Sequence, residues 1–254
     1  MVAPSEGRPR IHGARHGGML SRQANQARHR SMPDPLIEVE GVSKRYRRGA
    51  EVVHALREVA FALHPGELVA LVGPSGSGKS SLLGVLCGWE RPDQGKLLWS
   101  TAFGPTGGAG LSWSELSIVP QALGLVEELS VRENVALPVR LASGSARAGV
   151  ARADELLEAF GLEPLADRSP RETSLGQQQR VAVARALVLE PLLVLADEPS
   201  AHQDSAWVHD VFSQLRTVAQ AGAACLVATH DPEALRFADR ILALEDGRLS
   251  EVAA

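Results

Sequence analysis

Eight consecutive residues, Gly73-Pro74-Ser75-Gly76-Ser77-Gly78-Lys79-Ser80, satisfy the pattern G-x-x-x-x-G-K-[ST] at every fixed position. Glycines at these spacings let backbone N–H groups converge on one point, where the oxygens of a polyphosphate are held. Lys79 adds a cation for the β- and γ-phosphates, and the Ser80 hydroxyl is placed to ligate Mg2+. Ser81 closes the same loop. The chemistry expected is capture of a nucleoside triphosphate.

A second group lies more than a hundred residues downstream. The run Pro191-Leu192-Leu193-Val194-Leu195-Ala196 ends abruptly in Asp197-Glu198. Two carboxylates closing an apolar strand fall at the carboxyl edge of a sheet, where ligands of α/β folds bind. Asp197 is expected in the Mg2+ shell. Glu198 is expected to orient and deprotonate an attacking water, as a general base does from within hydrogen-bond reach.

Both groups need a scaffold that brings them together. Leu68-Val69-Ala70-Leu71-Val72 is continuously apolar, the pattern of a parallel strand buried on both faces. A helix is expected from Lys79 to Leu86. Further expected elements are a strand around Ile37–Val42, a strand at 52–63, an amphipathic stretch at 151–160 and a helix over 177–189. They are followed by a strand at 192–196, a helix over 206–221, a strand at 224–228, a helix over 232–238 and a closing hairpin at Asp246-Gly247. Strands alternating with helices imply a mostly parallel sheet. The fold class is α/β.

Composition agrees with a globular domain: 254 residues, 44% apolar and 22% charged. No apolar run approaches the ~20 residues of a membrane-spanning helix, so a membrane role falls to a partner chain. The formal charge of −4 is uneven. The first 32 residues hold six arginines against one glutamate, a net of +5, which leaves −9 for the remainder. That acidic remainder argues against nucleic-acid binding. Residues 1–33 have too few large apolar side chains to offset ordering entropy and are expected to be a disordered basic tail. Cys87 and Cys225 sit in apolar surroundings and fit core thiols in a reducing, cytoplasmic setting.

With these residues in place, Glu172-Thr173-Ser174-Leu175-Gly176-Gln177-Gln178-Gln179-Arg180 resembles the L-S-G-G-Q signature of ABC transporter ATPases, followed as in that family by a helix. The resemblance spans about 36–249, with the landmarks in family order. It implies a P-loop NTPase (RecA-like) core at 34–124 and 177–254, an antiparallel β subdomain, and an inserted helical subdomain at 125–176. It also implies ATP and Mg2+ as ligands. Position by position, Tyr46 looks like the aromatic that stacks on adenine. Gln121 looks like the Q-loop glutamine that reaches Mg2+ and water, and His230 like the histidine on the γ-phosphate. Two such domains pair head to tail in the family, so Ser174, Gly176 and Gln177 are expected to meet the partner's γ-phosphate. The pair drives a transmembrane permease on a separate chain, which places this chain on the inner face of the cell membrane.

The departures from the pattern bear on turnover. Thr173 and Leu175 replace the first Leu and first Gly of L-S-G-G-Q, and Leu175 is expected to restrict the backbone where glycine takes positive φ. Gln203 stands at an apolar place of the loop after Pro199. An ATP-binding regulatory subunit with weak or no hydrolysis is the alternative these changes leave open. Intact Lys79, Asp197, Glu198 and His230 favour hydrolysis. Leu195–Pro199 and Glu133–Pro138 look most like the subfamily of lipoprotein-release, macrolide-export and cell-division ATPases, implying an export or mechanical role.

Overall fold

The computed structural model describes residues 33–49, 51–104, 110–143, 146–201 and 205–252. Residues 1–32 of the expected basic tail, and Gln203, lie outside the described residues. Residues 34–254 form one compact unit.

Apolar continuity and alternation sort the strands into two sheets. Three make an antiparallel sheet of order β2-β1-β4: β1 (Ile37–Arg48), β2 (Glu51–Leu63) and β4 (Gln94–Trp99). Six make the main sheet, of order β5-β6-β7-β3-β8-β9. These are β5 (Leu116–Val119), β6 (Leu193–Asp197), β7 (Ala224–Ala228), β3 (Leu68–Val72), β8 (Arg240–Glu245) and β9 (Arg248–Val252). All pairings in it are parallel except the final hairpin of β8 with β9.

Every residue of β6 and of β7 is buried. Successive side chains point to opposite faces, and the two faces feed different cores. Val194, Ala196, Cys225 and Val227 join one cluster with Val181, Phe212 and Leu156. Leu193, Leu195, Leu226 and Ala228 join the other with Ile37, Leu56 and Leu83. Removing one such Leu or Val side chain from water contributes about 1.5–3 kcal/mol. The uninterrupted apolar runs are therefore a consequence of burial on both sides.

Helix α1 (Lys79–Leu86) follows β3, with Leu82, Leu83, Val85 and Leu86 buried. Helices α2 (Val131–Ser143) and α3 (Ala146–Ala159) pack on each other and on α4 (Leu175–Leu187). Helices α5 (Ser205–Gln220) and α6 (Pro232–Leu235) complete the set. The helix before β6 begins two residues earlier than the sequence pattern indicated. The cause is a capping box: Ser174 Oγ accepts from the Gln177 N–H (3.3 Å), and Gln177 Oε1 accepts from the Ser174 N–H (2.8 Å). At α2, Ser130 and Glu133 form the same kind of box. The fully buried Asn134 then bonds both backbone groups of Val126 and the carbonyls of Leu129 and Ser130.

Cys225 is buried, and desolvation raises its thiol pKa to about 12. Cys87 is half-buried and raised for the same reason. Neither microenvironment favours a thiolate. Among the described residues, no helix is long and apolar enough to cross a membrane.

Candidate active site

The sheet order makes β6, β7 and β3 consecutive neighbours. Their carboxyl ends therefore lie side by side, although the chain reaches them far apart in sequence. The phosphate-loop pattern leaves β3, Asp197 and Glu198 leave β6, and His230 leaves β7.

The loop 73–78 is held in a shape that excludes side chains at two points. Gly73 has φ +151° and Gly78 φ +111°. A Cβ at 73 would lie 2.1 Å from the Leu244 carbonyl oxygen, and one at 78 would lie 2.2 Å from that of Ala55. Glycine is needed at both on steric as well as dihedral grounds. Between them, the Ser77 N–H bonds the Pro74 carbonyl (3.2 Å), and the Gly247 N–H bonds the Ser77 carbonyl (3.1 Å). The β8–β9 turn thus braces the loop from behind. Gly78 caps α1, so the positive end of that helix faces the loop's concave side. Lys79 Nζ donates to the carbonyls of Gly73 (2.7 Å) and Pro74 (3.2 Å), folding over the loop.

Ser80 Oγ donates to Asp197 Oδ2 at 2.7 Å. Hydroxyl and carboxylate oxygens are the hard donors Mg2+ prefers, and Asp197 is buried at the carboxyl edge. The Ser80 and Asp197 oxygens are therefore a donor set that fits Mg2+, and Gln121 borders the same cleft. Glu198 follows with φ +53°, a left-handed conformation unusual for a residue with a side chain. Its N–H bonds the Ala228 carbonyl at 2.9 Å. Its carboxylate Oε1 lies 2.9 Å from His230 Nδ1. The Glu198 side chain is 17% exposed and that of His230 is 77% exposed. The pair is thus anchored on the buried side and open on the other.

These groups border a cleft of about 650 Å3. Its walls include Tyr46, Ser75, Gly76, Gly78, Lys79, Ser80, Ser81, Gln121, Asp197 and Glu198. Tyr46 stands on β1 opposite Val53, with Lys44 Nζ 5.4 Å from its ring centroid. Gly73, Pro74 and Ser77 shape the loop from beneath, and His230 joins through its bond to Glu198. The Ser77 side chain is buried.

Ser174, Gly176 and Gln177 do not line this cleft. They form the first turn of α4 next to a separate groove that includes Gln121, Leu123, Arg171, Leu175 and Gln178. The first i→i−4 bond of that turn runs from the Gln178 N–H to the Ser174 carbonyl (2.9 Å). The N–H groups of Leu175 and Gly176 precede it and point out of the helix end. The expectation that Leu175 disturbs the backbone is corrected by the structure. Leu175 is helical and is not among the residues with positive φ. Its departure from glycine is one of exposed bulk, at 52% exposure.

Two polar residues of α4 were not singled out by sequence reasoning. Gln179 is buried, and its Nε2 donates to the Glu198 carbonyl at 2.6 Å. Arg185 is buried, and its guanidinium donates to the carbonyls of Leu123 (2.6 Å) and Gly124 (2.7 Å), just past Gln121. Burial lowers the Arg185 pKa from its ordinary value. The available signal was that Gln179, Arg180 and Arg185 fall on the stretch of the helix whose other residues, Val181 to Ala184, Ala186 and Leu187, are apolar.

Comparison with known proteins gives the same reading. The ABC transporter family model matches residues 56–201. The lipoprotein-releasing system ATP-binding protein LolD 2 of Caulobacter vibrioides is 41% identical over 86% of this chain and 98% of its own length. The LolD protein of Hyphomonas neptunium is 38% identical over 86% and 98%. Among solved structures, a dimeric ATP-binding cassette in a post-hydrolysis state with ADP and Pi superposes with a TM-score of 0.77. It shares 31% identity over 86% of this chain and 99% of that one. The chain belongs to the ABC transporter family, as one of its ATP-hydrolysing, ATP-binding cassettes.

Proposed function

We propose that this chain works as one half of a head-to-tail pair of cassettes, binding Mg-ATP and hydrolysing it to drive a separate transmembrane partner of the lipoprotein-release type. The observation that carries the reading is the convergence in one cleft of a phosphate loop, the Ser80–Asp197 contact and the Glu198–His230 pair. The names of the LolD relatives support the substrate class, and the dimeric solved cassette supports the pairing.

In this reading Tyr46 stacks on the base and the 73–78 amides cradle the phosphates. Lys79 exchanges the carbonyls of Gly73 and Pro74 for phosphate oxygens. Ser80, Asp197 and Gln121 hold Mg2+, which when bound offsets charge on the phosphate oxygens. Glu198 aligns a water against the γ-phosphorus and accepts its proton as the P–O bond to the leaving diphosphate breaks. His230 keeps Nδ1 on Glu198, so contact with the γ-phosphate falls to Nε2. Ser174 and the outward N–H of Gly176 meet the nucleotide held by the partner cassette. The same reading assigns 1–33 to a tail, 34–124 and 177–254 to the core and 125–176 to a helical subdomain.

An apolar groove of about 370 Å3, lined among others by Trp89, Leu111, Trp113, Ile118 and Leu137, is the surface this reading gives to the transmembrane partner. Trp89 and Trp113, 65% and 45% exposed, both border it, and adjoining exposed apolar side chains of this kind mark surfaces that partners cover. The chain then sits at the cytoplasmic membrane face through that partner.

Reconstitution with the membrane partner in vesicles carrying an acylated protein tests the reading. Transfer of the acylated protein should require ATP and stop with Glu198→Gln, which should retain ATP and elute as a dimer. A Glu198→Gln chain that hydrolyses ATP at the parental rate would reject it.

A further inference from the structure

Glu198 holds a conformation that its own residue type disfavours. A left-handed backbone at a residue with a side chain is sterically disfavoured and persists only where the surroundings fix it. Three hydrogen bonds do so. The Glu198 N–H is held by Ala228, and its carbonyl accepts from the Ala201 N–H (3.2 Å) and from Gln179 Nε2 (2.6 Å). Only the last comes from a side chain, and it comes from α4.

Two facts make Gln179 more than packing. Its amide orientation is set, because the opposite one would press Oε1 against the Glu198 carbonyl, oxygen to oxygen. Its position on α4 also matters. Ser174, the cap of that helix, stands five residues before Gln179, about 7.5 Å along the axis. Arg185, six residues after it, grips the carbonyls of Leu123 and Gly124 beyond Gln121. One helix thus joins the turn that faces a second cassette, the backbone of Glu198 and the segment following Gln121.

We infer that Gln179 is a positioning residue for ATP hydrolysis. Its Nε2–H donated to the Glu198 carbonyl locks that peptide so that the carboxylate meets His230 and the water, and it ties that carboxylate to movement of the α4 N-terminus. This rests on the assignment of Glu198 as the base. Gln179 does not line the cleft, so its effect falls on kcat through Glu198 and not on nucleotide affinity.

Two substitutions in the full chain test it. Gln179→Met keeps length and apolar packing but removes the donor. Its kcat should fall roughly 10- to 100-fold, the scale of a reacting group misplaced by about 1 Å, with KM for ATP and Tm near parental values. Gln179→Glu is isosteric and donates only when its carboxyl is protonated. Burial at this position disfavours the charged form and raises that carboxyl above its ordinary range, so kcat relative to the parent should fall as pH rises from mildly acidic to mildly alkaline. In a Glu198→Gln background, Gln179→Met should produce no further loss.

A parental kcat for Gln179→Met alongside an inactive Glu198→Gln would overturn the role of Gln179 while leaving the base assignment intact. A fully active Glu198→Gln would overturn the base assignment, and the inference with it. A pH-independent ratio for Gln179→Glu, or a fall in Tm that accounts for the lost rate, would reduce Gln179 to a core side chain.

Discussion

Ser80 and Asp197 stand 117 residues apart in sequence, and the Ser80 hydroxyl donates to the Asp197 carboxylate at 2.7 Å. One stands in the first turn of α1 and the other ends β6, so the contact records how the carboxyl ends of β3 and β6 face a common cleft. Asp197→Asn keeps the hydrogen-bond acceptor and removes the charge. The variant should still bind ATP in the presence of a chelator but lose most of the affinity gained from added Mg2+. ATPase should drop by on the order of 10²-fold, and nucleotide titrations with and without Mg2+ check this.

Lys79→Ala should weaken ATP binding by at least about 30-fold, the scale of truncating one partner of a buried charge pair. The Lys79 ammonium bonds two loop carbonyls in the free chain. These lie at a solvent-open cleft, so Tm should change little. Calorimetric titration with ATP and a thermal melt separate the two effects. A large fall in Tm with intact binding would contradict the assignment.

Leu175 tests bulk against backbone. Its helical conformation gives glycine no conformational advantage, while glycine in a helix costs up to about 1 kcal/mol relative to alanine. Leu175→Ala should raise the ATPase rate of the partnered dimer several-fold with ATP affinity unchanged, by clearing the approach to Ser174 and Gly176. Leu175→Gly should gain no more than alanine and should melt lower. Steady-state rates with the membrane partner present decide it, and a slower Leu175→Ala would make Leu175 an adapted contact of the pair.

Asp239 ties the phosphate-loop strand to the helix beside it. Its carboxylate accepts from the Leu68 N–H (2.9 Å) and pairs with Arg216. Partial burial opposes ionisation of Asp239, but the Arg216 and Leu68 bonds outweigh it, and the pKa falls below the ordinary 3.8. A carboxyl lowered on folding adds stability above the unfolded pKa and loses it as pH falls through the folded value. Asp239→Asn should therefore lower Tm by a few degrees at neutral pH. The gap between parent and variant should close on acidification below about pH 4, which thermal melts across that range will show.

The phosphate loop was legible because its chemistry is local. Gly73, Gly78, Lys79 and Ser80 act within eight residues, and one strand and one helix position them. Asp197 and Glu198 were legible because a polar pair ending an unbroken apolar run can only sit where a buried strand emerges. The strand 224–228 and the helix 79–86 agree with their apolar patterns for the same reason. β4 was not legible, because it is an edge strand with four of its six residues exposed and no apolar alternation in its sequence. The start of α4 was missed by two residues because a reciprocal Ser174–Gln177 cap sets it, and apolar periodicity carries no trace of a cap.

Sequence alone thus determined what the proposed site groups can donate, accept or hold, since residue type and short spacing fix that for each atom. The tertiary structure decided their company. That β7 lies between β6 and β3, setting His230 beside Glu198, follows from strand order. That Leu175 adds bulk and no backbone strain follows from where α4 begins. That Gln179 reaches the Glu198 carbonyl follows from how α4 packs on the sheet. Each of these is a relation across many residues of chain, set by the burial of two apolar faces at once, and no local pattern encodes it.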